Sequence, residues 1–439
     1  MDSSASLNLA SLYAVLRVAD TGSVSRAAAT LFKAQSAITR AVQEIEQALA
    51  EPLFERKSSG MLPTLAGRAV FRRGERIFAE LGELAQWSAL RQQRRRTAEE
   101  GGLPAYLLNT RRLQLFVTLA RHRHMASAAR ALGVTQPAIS SAIRILETGA
   151  GMSLFYRHPR GLLLTTDGET FLLSVRRALN ELRHVADDMA ALHGSIQGKV
   201  TVGALPLGRT LILPMAVARV VTRHPKIRVV TDESAYDSLV TGVRAGDVDF
   251  VLGALRANDA ASGLASEVLM SEGLVALVRR GHPLADGRAL SLRDLLAAQW
   301  IMPRSQSPSR GLLEALFRRK KIKPPLPTVE TADLAVIRGL LLHTDMVALL
   351  SRQQLHYECA SGGLAVLNLP MQGTGRDIGL TLRAGSTPSP AAKELIGAIR
   401  SVARELGARG GFNEPRIHES ASRTDYPVFP NDDILADIP

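Results

Sequence analysis

The chain has 439 residues, a formal net charge of +13 and a single cysteine, Cys359. The excess of positive charge favours a polyanionic partner, and a lone cysteine excludes an intramolecular disulfide. No apolar stretch approaches the roughly 18 residues of a membrane span, and Met1 to Asn8 lack the basic flank and apolar segment of an export signal. The sequence therefore predicts a cytoplasmic protein with no membrane partner, in which Cys359 is a small core residue rather than a nucleophile.

Residues 8–67 and 109–168 are two copies of one module. Aligned at a shift of 101 positions without a gap, the copies are identical at 18 of 60 pairs. Solenoid repeats are shorter, at roughly 20 to 50 residues, and need three or more copies. Each copy is therefore predicted to be a small domain. The identical pairs include Leu12/Leu113, Ala27/Ala128, Ala28/Ala129, Gln35/Gln136, Ile38/Ile139, Glu46/Glu147, Leu53/Leu154, Phe54/Phe155, Gly60/Gly161 and Thr64/Thr165.

The second copy has the pattern of a winged helix-turn-helix. Apolar residues at helical spacing predict a first helix over 113–119, and Met125 to Leu132 predict a second helix that Gly133 ends. Thr135 is the predicted N-cap of a third helix with Pro137 in its first turn. Two short apolar runs around the turn 158–161 then predict a hairpin, the wing. The expected buried face of the third helix is formed by Ile139, Ile143 and Leu146.

At these residues the chain resembles the LysR-type transcriptional regulators. The resemblance covers both modules and, less strictly, residues 170–407, and its specificity comes from several stretches in order at the family's spacing. These are Ala128-Ala129, Val134-Thr135-Gln136-Pro137-Ala138-Ile139-Ser140, Leu146-Glu147, Leu154-Phe155-Tyr156-Arg157 and Leu164-Thr165-Thr166-Asp167-Gly168.

The third helix of the second module is the predicted DNA-recognition helix. A helix N-terminus offers free amides to a phosphate, and its first-turn side chains reach base edges in the major groove. The alternative is that Gln136 and Ser140 only cap and solvate the helix. The predicted DNA-binding residues of this module, including its wing, are Thr135, Gln136, Pro137, Ser140, Ser141, Arg144, Arg157 and Arg160.

The first module departs from the second in charge and in its helix cap. Residues 109–168 carry a formal charge of +6, whereas residues 8–67 carry +1. Ala34 stands where Thr135 is the predicted cap, a loss worth roughly 1 kcal/mol. Two interpretations stay open: a second DNA-binding module, or a packing or dimerisation module that has kept the fold. If the first module binds DNA, its predicted contacts are Gln35, Ser36, Thr39 and Arg40.

Each module is followed by a long helical pattern, at about 66–93 and about 168–193. The apolar face of the second, from Phe171 to Leu192, must be covered. It could fold back on its own domain, but such helices pair two chains in the resembled family, so we expect a homodimer or homotetramer. A dimer predicts an operator that is an interrupted inverted repeat of double-stranded DNA. RNA polymerase is a candidate further partner. A cluster of arginines at the end of the first helical pattern either contacts phosphate or is solvated; its members are Arg91, Arg94, Arg95 and Arg96.

From Lys199 the pattern changes to short apolar runs alternating with helices, which predicts parallel sheets with helices on both faces. The chain is expected to cross twice between two α/β lobes, near 271 and near 370, as in periplasmic binding proteins. The predicted fold is therefore multi-domain. Its units are winged helix-turn-helix modules at 8–67 and 109–168, linkers at 68–108 and 169–198, an effector-binding domain at 199–407 with lobe I (199–270 and 371–407) and lobe II (271–370), and a mobile tail at 408–439.

The resemblance places a small-molecule effector between the lobes, and ligands of such folds bind beyond the carboxyl ends of the strands. Arg209 or Arg304 could pair with a carboxylate or simply be solvated. The amino-acid sequence of 203–207 and 251–256 is similar to that of the galactose-binding-protein regulator subgroup. This resemblance implies that the effector is a sugar or an aromatic-derived carboxylate. The predicted effector-binding residues are Pro206, Leu207, Gly208, Arg209, Thr210, Tyr236, Gly253, Ala254, Pro303, Arg304 and Ser305.

The predicted function is sequence-specific transcriptional regulation controlled by this effector, with lobe closure changing the bend or spacing of the bound operator. Catalysis is not expected, since the motifs CxxC, HExxH, GxSxG and GKS/T are missing, and neither a cofactor nor a metal is predicted. A solute-binding protein for transport would share the bilobal fold, but it would have an export signal and would lack a helix-turn-helix. The sequence disagrees with this class on both points. A ligand-independent architectural DNA-binding protein stays open, and a thermal stability that no candidate metabolite changes would favour it.

Overall fold

The computed structural model describes residues 7–57, 60–92, 102–256, 263–305 and 307–409. Both modules have the same order of elements, three helices, a two-stranded wing and a long linker helix. In the first module these are α1 (Leu9–Thr21), α2 (Val24–Thr30), α3 (Gln35–Leu49), β1 (Phe54–Lys57), β2 (Gly60–Pro63) and α4 (Leu65–Arg91). In the second they are α5 (Thr110–His122), α6 (Met125–Leu132), α7 (Gln136–Ala150), β3 (Phe155–His158), β4 (Gly161–Leu164) and α8 (Thr166–Leu192).

Residues identical between the modules make the same contacts in both. Glu46 and Glu147 each accept a hydrogen bond of 2.8 Å from a backbone amide seven residues later, which fixes the end of the recognition helix against the wing. Thr64 and Thr165 each cap a linker helix, accepting from the amide three residues on at 2.9 Å. The shared residues therefore preserve the fold.

The predicted difference in helix capping between the modules is wrong. Thr135 occupies the N-cap of α7, but its side chain makes no capping hydrogen bond. Pro137 has no amide to donate, and the amide of Ala138 donates to the Thr135 carbonyl oxygen at 3.2 Å instead. In the first module the amide of Ala37 donates to the Ala34 carbonyl oxygen in the same way, at 3.0 Å. The two helices therefore begin alike, and Ala34 loses no cap bond that Thr135 has.

The apolar face of α8 is covered by α4 of the same chain, whereas the sequence predicted that a second chain would cover it. Val70, Ile77 and Leu81 of α4 are fully buried, in a single hydrophobic core that also contains Phe171 and Val175 of α8. The first module thus supplies a second helix of the same kind within the chain.

The effector domain has two lobes, each built on a five-stranded sheet. Lobe I contains β5 (Gly198–Ala204), α9 (Pro206–Arg209), α10 (Ile212–Arg223), β6 (Ile227–Asp232), α11 (Tyr236–Ala245), β7 (Phe250–Ala254) and β8 (Leu264–Glu272). Lobe II contains β9 (Leu274–Arg279), β10 (Trp300–Met302), α12 (Pro308–Arg319), β11 (Val329–Glu330), α13 (Leu334–His343), β12 (Val347–Ser351), α14 (His356–Ala360) and β13 (Leu364–Val366). The chain returns to lobe I through β14 (Arg376–Arg383) and α15 (Pro390–Arg409).

The sheets are mixed rather than parallel. The strand orders are β6-β5-β7-β14-β8 in lobe I and β11-β10-β12-β9-β13 in lobe II. Strands linked by helical crossovers pair in parallel, as predicted, but β14 is antiparallel to β7 and β8, and β9 is antiparallel to β12 and β13. The antiparallel pairs arise where the chain passes between the lobes, because each such strand enters its sheet from the opposite end.

A buried ionic cluster joins α4, α8 and lobe I. Arg73 is 3% exposed and lies 2.6 Å from Glu181 and 2.7 Å from Asp188, and its guanidinium also donates to the Thr387 carbonyl oxygen at 2.9 Å. Burial disfavours the charged guanidinium, but the bonds and charges of Asp188 and Glu181 outweigh that cost and raise the pKa of Arg73. Arg383 of lobe I adds a contact to Glu80 of α4 at 3.0 Å. The effector domain is thus fastened to the linker-helix pair through charged groups.

Candidate DNA interface and effector cleft

The helix α7 presents a polar face to solvent and an apolar face to its domain. Ile139, Ile143 and Leu146 are buried, as predicted, because they recur at helical spacing. The predicted DNA-binding side chains of this module lie on the opposite face or on the wing, and all of them are exposed. They are Thr135, Gln136, Pro137, Ser140, Ser141, Arg144, Arg157 and Arg160.

The helix α3 of the first module has the equivalent polar face. Gln35, Ser36 and Arg40 are exposed and Thr39 is half-buried, while Ile38, Val42 and Ile45 are buried. The first module therefore has the same fold as the second and a third helix whose polar face is turned to solvent.

The arginines of the second module are available to a polyanion. Within 109–168, all of which the structure describes, none of the eight arginines forms an ion pair with a carboxylate. In the first module, by contrast, Arg17 pairs with Asp20 at 3.1 Å and Lys57 with Glu55 at 3.4 Å. The unpaired cations concentrate positive potential on the second module.

A cavity of about 270 Å³ lies between the two lobes. Its walls are largely apolar, contributed by Leu205 and Leu207 from lobe I and by Ile301, Met302 and Leu334 from lobe II. Of the predicted effector residues, the cavity is lined by Pro206, Leu207, Ala254 and Pro303.

The remaining predicted effector residues are not among those lining the cavity. Arg304 and Ser305 are exposed, and Thr210 donates to the Gln353 carbonyl oxygen at 3.3 Å. The Tyr236 ring lies against the guanidinium of Arg256, 3.6 Å from the ring centroid. The residues in this group are Gly208, Arg209, Thr210, Tyr236, Gly253, Arg304 and Ser305.

Arg256 and Arg376 are two of the cavity residues that were not predicted from the sequence. Arg256 pairs with Asp237 at 3.9 Å, whereas Arg376 does not. Arg376 lies at the start of β14, where the chain re-enters lobe I, and donates to the Ser309 hydroxyl of lobe II at 3.0 Å. Among the described residues it forms no ion pair, and burial lowers its pKa, with the charge of Glu272 opposing the shift. Glu272 is itself buried, which raises its pKa, and it accepts from the Gln353 amide at 3.1 Å. The predicted crossing near 370 was the available signal, since an arginine at a crossing faces both lobes.

Several other predictions concern residues at the edges of the described regions. Arg91 pairs with Asp167 at 2.8 Å rather than standing free for phosphate, while Arg94, Arg95 and Arg96 lie outside the described residues. The predicted tail also lies outside them, apart from Ala408 and Arg409 at the end of α15. Cys359 is partly buried beside the lobe II core, and burial raises the pKa of its thiol. No helix in the described ranges is both long and apolar enough to cross a membrane.

Two family models match the chain. The model for the bacterial regulatory helix-turn-helix of the LysR family matches residues 9–68 and again 110–169, and the LysR substrate-binding-domain model matches residues 193–404. Together they cover most of the chain, which therefore belongs to the LysR family of transcriptional regulators, with a DNA-binding helix-turn-helix and an effector-binding domain. Members of this family are regulators rather than enzymes.

Individual relatives show how far the similarity extends. The chain is 48% identical to the HTH-type transcriptional regulator GalR of Pseudomonas putida over 398 residues, covering 91% of this chain and 98% of that protein. Each module has 60 residues, which is more than this chain has outside the alignment, so the alignment includes parts of both modules. The HTH-type transcriptional regulator PcaQ of Agrobacterium fabrum is 33% identical over 67% of this chain and 95% of its own length. A full-length variant of OxyR from Pseudomonas aeruginosa has the same fold, with a TM-score of 0.53 at 22% identity over 67% of this chain and 95% of that chain.

Proposed function

We propose that this regulator contacts operator DNA through the exposed faces of its recognition helices, α3 and α7, and that a small carboxylate bound between its lobes controls it. The observation that carries the first part is the solvent-facing polar surface of α7 beside unpaired arginines. Gln136 suits adenine N6 and N7, and Arg144 suits guanine O6 and N7. Arg157 and Arg160 on the wing are placed to contact phosphate.

Arg376 supports an acidic effector rather than a sugar. A half-buried guanidinium that forms no ion pair among the described residues, although the charge of Glu272 acts on it, favours a ligand carboxylate, which it can bind with two parallel hydrogen bonds. A sugar would need many polar partners, whereas the cavity walls are mostly apolar. A volume of about 270 Å³ suits a ligand of one ring. We therefore favour an aromatic carboxylate.

Binding across the cleft would change how the lobes stand relative to each other, because Arg376 belongs to lobe I and Ser309 to lobe II. A ligand shifts this equilibrium only by its different affinity for the open and closed forms. The change would reach DNA through the ionic cluster on α4 and α8 and alter the bend or spacing of the operator. Assembly into a homodimer or homotetramer would use surfaces outside the α4/α8 pair, and contact with RNA polymerase stays a prediction.

Calorimetric titration with benzoate, its neutral analogue benzamide and galactose tests the effector class. We expect the carboxylate to bind more tightly than the other two, and Arg376→Gln to weaken its binding by about tenfold or more, the effect of removing a charged hydrogen-bond partner from a buried site.

Arg304→Gln is the matched control, because that arginine is exposed and does not line the cavity. It should leave the affinity unchanged. Galactose binding that survives Arg376→Gln, with no binding of the carboxylate, would contradict an acidic effector.

A further inference from the structure

The two linker helices of one chain run antiparallel. Going along α4 towards its C-terminus, the contacting residues of α8 come progressively closer to the N-terminus of α8. Arg73 lies 2.7 Å from Asp188, Glu80 lies 3.5 Å from Arg177, and Arg91 lies 2.8 Å from Asp167. Each helix therefore starts in its own module and ends at the other module. The two modules stand at opposite ends of one helix pair.

Contacts at the far ends of these helices recur when the modules are exchanged. Gln92, just past the end of α4, donates to the carbonyl oxygen of Ala150 at the end of α7. The residue 101 positions later, His193, lies just past the end of α8 and 2.8 Å from Glu51, which follows α3. The modules are thus related by an approximate twofold axis within a single chain.

The centre of the helix pair shows the same symmetry. Glu80 and Glu181 are equivalent residues, as are Arg76 and Arg177. Glu80 pairs with Arg177, and the charge of Glu181 acts on Arg76 in the opposite sense to the burial that lowers the pKa of Arg76. Two symmetry-related sets of opposite charges therefore flank the axis, although Glu181 is also held by Arg73.

The length of the pair sets the separation of the recognition helices. A helix of 27 residues such as α4 is about 40 Å long at 1.5 Å per residue. Because α3 and α7 end at opposite ends of the pair, their C-termini are separated by a distance of this order. Half-sites bound by a helix-turn-helix dimer are about 34 Å apart, one turn of B-DNA.

The two recognition helices present different side chains to DNA. Arg40 of α3 is equivalent to Ser141 of α7, and Arg144 of α7 is equivalent to Gln43 of α3, so the arginine stands three residues earlier in the first module. Since arginine favours guanine, the guanine it contacts would lie at different positions in the two half-sites. Gln35 and Gln136, in contrast, are equivalent and exposed.

From these observations we infer that one chain contacts both half-sites of a single operator, one with each module, and that the two half-sites differ in sequence. The inference rests on the proposed DNA-binding role of α3 and α7. In this arrangement a single chain with two unequal modules occupies both half-sites. Otherwise two chains would be needed, each contributing one identical module. The partner is a duplex whose inverted repeat is imperfect because the two modules are unequal.

The test begins with an operator selected from a random duplex pool by the full-length chain. Two further duplexes carry a scrambled sequence in either half-site, and affinities are measured for the wild type, Gln35→Ala and Gln136→Ala. We expect each variant to lose about tenfold in affinity for the intact operator. For Gln136→Ala, scrambling one half-site should lower the affinity little further, whereas scrambling the other half-site should still weaken binding. For Gln35→Ala, the roles of the two half-sites should be exchanged.

Gln47→Ala is the control, because Gln47 is exposed on α3 but lies near its C-terminal end. A second measurement does not depend on affinity. In a Cys359→Ser background, a DNA-cleaving group attached through Ser36→Cys should cut at one half-site, and the same group attached through the equivalent Pro137→Cys should cut at the other.

The outcomes separate this inference from the proposed function. If Gln136→Ala abolishes sensitivity to both half-sites, Gln35→Ala changes neither and cleavage from position 137 reaches both, then two chains bind through their second modules and the inference is overturned. If the wild type selects no sequence from the pool at all, the DNA-binding role itself fails.

Discussion

Single residues show where the two modules have diverged under the same backbone. Gly133 ends α6 with φ of 62°, and its equivalent in the first module, Phe32, adopts φ of 51°. The left-handed conformation costs a residue with a Cβ roughly 1–2 kcal/mol relative to the right-handed one. Phe32 is also 93% exposed, so its ring recovers little by packing.

Exchanging these residues should change stability in opposite directions. Phe32→Gly should raise the free energy of unfolding by up to about 1 kcal/mol, because glycine adopts this conformation without strain while losing more chain entropy on folding. Gly133→Phe should lower it by a similar amount, since no atom lies within 4 Å of the position its Cβ would take. Urea denaturation measures both.

Phe32→Ala serves as the control, because it removes the ring but keeps the Cβ. If the strain explanation is correct, alanine gives less gain than glycine. A loss of stability in both variants would instead mean that the Phe32 ring makes a stabilising contact.

At the scale of elements, the linker helices are held together by ion pairs of very different burial. Arg73 and its partner Glu181 have side chains only 4% and 3% exposed, whereas the side chain of Arg91 is 58% exposed where it meets Asp167. Exposed pairs contribute little because water and salt screen them. Removing one partner of a buried pair leaves the other charge uncompensated.

Arg73→Met should therefore destabilise the chain by about 3–5 kcal/mol, and Arg91→Met by less than about 1 kcal/mol. The two substitutions are chemically identical and lie on the same helix, so each serves as the control for the other in urea denaturation at low ionic strength. Equal losses would mean that α4 and α8 are not held by the buried cluster.

The linker elements also show what periodicity can predict. The apolar spacing in 168–193 identified a helix with one face to be covered, and α8 has that face buried. It could not identify the covering surface, because an apolar face packs against any complementary face. A cover from a second chain and a cover from α4 produce the same pattern.

At the scale of the whole molecule, communication between the cleft and the modules must pass through the contacts of lobe I with the helix pair. Arg383 lies on the same strand as Arg376 and reaches Glu80 of α4 at 3.0 Å and Glu181 of α8 at 3.5 Å. The strand β14 thus has the cleft arginine at one end and the linker contact at the other.

Arg383→Gln should reduce the coupling between ligand and DNA while leaving both binding sites intact. Coupling free energies are typically about 1–3 kcal/mol, so a ligand normally changes DNA affinity several-fold, and in this variant the change should fall towards none. The measurement is operator affinity with and without the carboxylate that binds the wild type.

Arg400→Gln is the matched control, since Arg400 pairs with Glu267 at 2.8 Å inside lobe I and, among the described residues, forms no ion pair with either linker helix. It should keep full coupling. Unchanged coupling in Arg383→Gln would mean that the signal passes to the modules by another route.

The order of residues alone was enough to predict the two winged helix-turn-helix modules, the two linker helices and the alternation of strands and helices in the lobes. Local periodicity, turn residues and caps specify these elements from neighbouring residues. The exposed face of α7 followed for the same reason, because buried and exposed positions of a helix are set by its 3.6-residue period. Which surfaces meet is visible only in the folded chain: α4 covers α8, Arg376 enters the cavity, and Arg73 binds acids more than a hundred positions away. These contacts depend on shape and charge complementarity between distant segments, which no local pattern encodes.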